Sequence, residues 1–193
     1  NQEERPNDIW IFDSRLAFHN IPEAFSVRLT SNPEVAAQRV FNDQTRGKED
    51  KYKTVKEALV ARENRRKGEQ ERYKKRYGVD LEDDKNYDLI IDTSYSKPED
   101  IADTIVTCLD RYKENKKFAQ KWASPKIFLP LQGERETGNG FNDVLSSIAE
   151  FGYIPSEAIE TVEVDGRQYI IEGHHRNFAL ASLGKTLVPY EVL

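Results

Sequence analysis

Two stretches of this chain carry residue types suited to holding phosphate groups. The first is "ARENRRKGEQERYKKRYG" (61–78). From Arg62 to Arg76 it holds eight Lys or Arg against three Glu, and no aliphatic residue. Arg62, Arg65, Arg66 and Arg72 recur at spacings that share a broad face of a helix. Convergent guanidinium groups grip phosphate oxygens with paired N–H donors and neutralise the charge spread in phosphoryl transfer. The plainer reading is a solvated helix laced with Glu–Arg pairs, and both stand at this point. The second stretch is "IIEGHHRNFALASLG" (170–184), with two of the three histidines side by side. A metal site needs three or four ligands, and neighbouring histidines point in different directions. No Cys or third His lies near them, so no metal is expected. A Ser–His–acid triad lacks any nucleophile elbow. What remains is a polar helix start or an anion-binding turn. In the second case Gly173 lets a phosphate approach the backbone, the first-turn N–H groups point at it, and Arg176 with His174 or His175 adds charge. In "GERETGNG" (133–140), Glu134 and Glu136 are either acid/base groups or solvated loop charges.

The elements that must position these residues are legible from pattern. "DIWIFDSRLAF" reads as a buried strand ending in polar residues. "AFSVRLTSNPEVAAQRVFNDQ" reads as strand, turn and helix, with Asn32 as N-cap and Pro33 in the first turn. Thr54 and Glu57 form a capping box that opens a long helix through Tyr77, stopped by Gly78. "YDLIIDTS" is a short strand. Ser96 and Glu99 form a second capping box, followed by Ile101, Ile105, Cys108, Leu109 and Tyr112 at helical spacing. This succession is the α/β pattern of a covered parallel sheet. "KENKKFAQKWASPK" (113–126) is basic, loses periodicity and reads as a boundary. Beyond it come a strand in "KIFLPLQ", a helix closed by Gly152, a hairpin turned at Asp165-Gly166, a helix closed by Gly184 and a final strand in "VPYEVL". The expected division is residues 1–115 and 126–193.

Composition bounds the function. Of 193 residues, 37% are hydrophobic and 33% charged, with 9 Phe and 9 Tyr to build a core. A net charge of −5 gives no general attraction to nucleic acid or anionic membrane, so neither is an expected partner. A single cysteine excludes an internal disulfide and suits a reducing, cytoplasmic setting. There is no methionine, so residues upstream of Asn1 are expected.

"FDSRLAF", "NPEVAAQRV", "RENRRKGEQERYKKRYGVDLEDDKNYDLIIDTS" and "KPEDIADTI" together resemble the C-terminal half of cytidylate kinases, in particular the archaeal-type branch. The likeness covers residues 8–112. It implies a partial P-loop kinase-type parallel sheet. It implies that Asp13 and Arg15 lie near the nucleoside monophosphate and that Arg62, Arg65 and Arg72 clamp phosphates, with Arg66 an equal candidate to Arg65. It also implies ATP with Mg²⁺ as co-substrate and metal. One motif departs: the Gly-rich phosphate loop and its lysine are absent. "LGKT" at 183–186 does not replace it, because Ala179 stands where the first glycine belongs and the stretch joins a helix to a strand.

Residues 126–193 resemble the ParB/sulfiredoxin superfamily through "LSSIAEFGYI", "VDGRQYIIEGHHR" and "ALASLGKTLVPYEVL". That resemblance implies a small α+β domain that binds nucleotide phosphates at Gly173, His174, His175 and Arg176. Sulfiredoxin chemistry is not implied, since that turn carries a cysteine where this chain has His174. A DNA clamp is not implied either, as no basic DNA-binding helix region follows. The expected function is phosphoryl transfer from ATP to CMP or dCMP once a phosphate loop is present. The alternatives are a small-molecule kinase of the free-serine type in the C-terminal part, or a nucleotide sensor without turnover.

Overall fold

The computed structural model describes residues 9–43, 51–131 and 139–193. Among these residues seven strands form one mixed sheet in the order β1-β2-β3-β7-β5-β6-β4, with six α-helices, and the fold is α/β as the pattern predicts. The elements are α1 (Ala17–Asn20), β1 (Val27–Thr30), α2 (Pro33–Asn42), α3 (Val55–Tyr77), β2 (Leu89–Asp92), α4 (Pro98–Lys113) and β3 (Lys121–Ala123). There follow β4 (Phe128–Pro130), α5 (Asn139–Phe151), β5 (Ile159–Val164), β6 (Arg167–Glu172), α6 (His174–Ser182) and β7 (Val188–Val192).

Local chemistry accounts for most boundaries. The Asn32 side chain accepts from the Glu34 and Val35 amides and starts α2. Thr54 accepts from the Glu57 amide, while the Glu57 carboxylate accepts from the Lys53 amide one residue before the cap, so the two residues together brace the start of α3. Gly78 ends α3 in the left-handed region. Asp165 and Gly166 both take positive φ, which is what a two-residue hairpin turn with the strands' own twist requires.

Three expectations change. Residues Ile9 to Phe12 form no strand, and Trp10 and Ile11 are 73% and 90% exposed. An apolar run becomes a buried strand only if a neighbour takes its N–H and C=O groups. β1 is the sheet's edge, and no described strand pairs with its outer side. The α4 N-cap is Lys97, without a side-chain cap, so Ser96 and Glu99 do not form a capping box. The Ser96 hydroxyl donates to the Thr186 carbonyl instead, at 2.9 Å. Finally, the stretch 113–126 contains β3, which pairs with β2 in parallel and with β7 in antiparallel fashion. Trp122 and Leu187 accordingly share one buried cluster with Leu89, Ile91 and Cys108. A second cluster joins Ala123 and Phe128 to Ile159, Ile170, Leu180 and Val188.

Strand directions follow from the pairing. β2 and β3 run parallel to β1, β7 and β5 run against them, and β6 and β4 run with them again. The carboxyl ends of β1, β2, β3, β4 and β6 therefore lie along one edge. Helices α2, α4, α5 and α6 each follow one of these strands, so all four start at that edge.

Candidate functional site

The edge where strands end and helices begin is where an α/β sheet binds anionic ligands, because backbone N–H groups and helix dipoles point outward there. In this chain that edge is built around residues 92–97. The Asp92 carboxylate accepts from the Ser94 amide at 2.7 Å, and the Ser94 hydroxyl accepts from the Asn32 amide at 2.7 Å. Arg39 donates to the carbonyls of Thr93 and Ser94 at 2.8 and 2.9 Å. The Thr93 hydroxyl donates to the Thr30 carbonyl. The turn after β1 and the turn after β2 are thus fastened together. Sequence reading missed Arg39, Thr93 and Ser94. The available signal was their position just past two strands expected to be parallel.

On α3, Arg62, Arg65, Glu69, Arg72 and Arg76 alternate at three and four residues, which is one stripe of a helix. Arg15 makes an ion pair with Glu69, so the Asp13–Arg15 turn is brought against the middle of that stripe. Arg66 lies off the stripe and pairs with Glu82 at 3.1 Å. Arg65 thus shares a face with Arg62 and Arg72, and Arg66 stands beside that face, paired with Glu82. Gln70 bonds Asp80 and the Leu81 amide on the same side as Arg66, anchoring the chain that leaves the helix. The Asp80 carboxyl is held below its ordinary range, first by the Glu82 amide and then by Gln70. Arg62, Arg65 and Arg72 are exposed, and Arg72 borders a shallow concavity of about 540 Å³ with Gly68, Glu71, Lys75 and Arg76.

The histidine turn is built differently from expectation in one respect. Gly173 has φ +91°, and a Cβ there would meet Ile159 Cγ2 at 2.8 Å and the Ile159 Cα at 3.2 Å. The glycine is required by the close approach of β5, whatever the turn binds. Arg176 is drawn inward: it donates to the Ala158 carbonyl at 2.9 Å, lies 3.8 Å from Glu172 and sets its charge near the Tyr153 phenol. Burial pushes the Tyr153 phenol up to about 12 despite that guanidinium. His175 packs edge-on against Phe141 and lies beside Gly140, which places the start of α5 over the turn. Asn177, only 4% exposed, has a side-chain oxygen with no hydrogen-bond partner among the described residues. Glu134 and Glu136 lie outside the described residues.

Among the described residues there is no loop of the kind that cradles the ATP phosphates. The chain has no Gly-rich loop ending in Lys-Ser or Lys-Thr. Gly184 has φ +72° and the Lys185 amide bonds the Leu180 carbonyl, so "LGKT" is the left-handed ending of α6. Among the described residues no group of three or more His, Cys, Asp or Glu could hold a metal ion. No described helix is long and apolar enough to cross a membrane.

Comparison with known proteins agrees with the first half of this reading. Residues 7–95 match the model of the cytidylate kinase-like family. The S-adenosylmethionine-dependent nucleotide dehydratase of Lacinutrix mariniflava is 35% identical over 96 residues, 50% of this chain and 19% of that protein. The cytidylate kinase of Sulfolobus acidocaldarius is 34% identical over 94 residues, 49% of this chain. The alignment spans 47% of that kinase, under half its length. Among solved structures, sulfiredoxin from Arabidopsis thaliana aligns with a TM-score of 0.33 and 24% identity over 37% of this chain and 81% of its own. ParB from Caulobacter crescentus, complexed with CTP-gamma-S, aligns with a TM-score of 0.31 and 24% identity over 37% of this chain and 42% of its own. The chain is therefore similar to cytidylate kinases across residues 7–95, and shares a more distant likeness with sulfiredoxin and ParB.

Proposed function

We propose that residues 1–115 are the monophosphate-binding half of a nucleoside monophosphate kinase acting on CMP or dCMP, joined to a phosphate-binding segment at 126–193. The observation that carries the reading is the Arg15–Glu69 pair, which sets Arg15 on the Arg62–Arg65–Arg72 stripe. Three or four guanidinium groups on one face suit a monophosphate and the charge that develops beside it in phosphoryl transfer. Asp13 lies in the same turn and would accept from the nucleoside. Among the described residues no strand covers the outer edge of β1, and that edge with the exposed run Ile9 to Phe12 suits one more strand, which is where a strand with a phosphate loop would join the sheet. At the other segment, Gly173, His174, His175 and Arg176 form a turn for a nucleotide phosphate. Arg176 braces it from behind, and the α6 amides and His175 face the ligand.

Turnover tests this reading. With Mg·ATP and CMP, this chain is expected to release no ADP above a mock preparation. The protein carrying the phosphate loop is expected to do so, and to prefer CMP or dCMP over AMP. Turnover by the chain alone, or a loop-bearing protein that ignores CMP, overturns it.

A further inference from the structure

Helix α4 begins in the kinase-like segment, yet its own N-cap, Lys97, contributes no side-chain hydrogen bond. The missing group comes from 89 residues further on: the Lys97 amide donates to the Thr186 hydroxyl at 3.1 Å. The same hydroxyl donates to the carboxylate of Asp100, the third residue of the helix. The Thr186 carbonyl accepts from Ser96 at 2.9 Å. A helix start leaves several amides without partners, and an ordinary capping box satisfies them from within the sequence. Here one threonine bridges the cap residue's amide and the acid at the third position from outside.

We propose that Thr186 is the cap of α4 and a positioning residue for the loop 92–97, so that the C-terminal segment holds the nucleotide-facing edge of the kinase-like segment in place. Three observations converge. The loop is fastened on one side by Asn32 and Arg39 and on the other by Thr186. Leu187, next to Thr186, is buried in the cluster that backs α4 through Cys108. Thr186 lies two residues before β7, which pairs with β3, so the cap stands beside the shared sheet. The consequence for nucleotide binding rests on the function proposed above; the cap itself does not.

Hydrogen exchange on the whole chain separates the two. In Thr186→Val, which keeps the shape and removes the hydroxyl, the amides of Lys97 and of residues 99–101 should exchange roughly fivefold or more faster. The β5–β6 hairpin should exchange as in the wild type. Thr186→Ser should restore slow exchange, and Asp100→Ala should accelerate the same amides as Thr186→Val. Unchanged exchange at 97–101, or equal acceleration in the hairpin, overturns the cap. CMP titration of the same proteins tests the positioning. Weaker CMP binding in Thr186→Val with recovery in Thr186→Ser supports it, and unchanged affinity overturns it. Failure of the wild type to bind CMP at all would count against the proposed function while the exchange result still decides the cap.

Discussion

Replacing Gly173 by alanine should destabilise this chain by a margin that can be worked out. The residue sits at φ +91°, where a side chain other than glycine's costs about 1–2 kcal/mol. Its Cβ would also stand 2.8 Å from Ile159 Cγ2, 3.1 Å from Ile159 Cβ and 3.2 Å from Ile159 Cα. Ile159 is fully buried between β6 and β7, so it cannot swing away. Forcing a methyl into such a contact adds about 1–3 kcal/mol. The sum of about 2–5 kcal/mol corresponds to a fall in Tm of roughly 4–20 °C for a chain of this size. Gly184→Ala is the control. It has φ +72° but no neighbouring atom within 4 Å of the added carbon, so only the first cost applies. Thermal unfolding followed by circular dichroism should show Gly173→Ala losing distinctly more than Gly184→Ala. Equal losses, or a Gly173→Ala protein within about 1 °C of wild type, would refute the argument from close approach.

Alkaline conditions should weaken the fold. Burial pushes Cys108, Tyr153 and Tyr190 up to about 12 from 9.0, 10.0 and 10.0 respectively. Their neutral forms are favoured when folded, so the unfolded chain loses protons first and stability falls between about pH 9 and 12. Urea midpoints that stay flat from pH 7 to 11 would contradict this. Buried and poorly ionised, Cys108 should resist thiol reagents at pH 8 until denaturant is added; prompt modification of the folded protein would show that α4 opens easily. In protein carrying the phosphate loop, Arg62→Ala or Arg72→Ala should lower kcat at least ~10²-fold with Tm hardly changed, since both side chains are exposed; wild-type kcat in both would leave α3 a solvated spacer. Arg176→Ala should weaken both phosphate binding and folding, because the Ala158 carbonyl loses its donor; unchanged Tm would show that bond to be dispensable.

Much of the fold was legible because it is decided locally. The Asn32 cap, the Thr54–Glu57 box, Gly78 and the Asp165-Gly166 turn each act within a few residues, and the residues themselves carry the signal. What the pattern hid depends on partners far away in sequence. Residues Ile9 to Phe12 have the composition of a buried strand, but a strand forms only beside another, and no described strand pairs with them. Ser96 and Glu99 have capping-box spacing, yet Thr186 supplies the cap from the other end of the chain. β3 is three residues long, too short for periodicity to show, and it is defined by pairing with β2 and β7. At the site, the arginine stripe was readable from spacing. The pairing of Arg66 was not, because its partner Glu82 lies beyond the helix, and the inward pull on Arg176 comes from a carbonyl that no sequence motif announces.

The central claim is that Arg15 and the α3 stripe form a monophosphate site. Calorimetric titration of this chain with CMP, in parallel with its Arg15→Ala variant, tests that most directly. The account predicts saturable binding by the wild type and at least roughly tenfold weaker binding by Arg15→Ala, as expected for losing one charge-assisted contact. Equal affinity in the two proteins, or no heat with CMP in either, would contradict it.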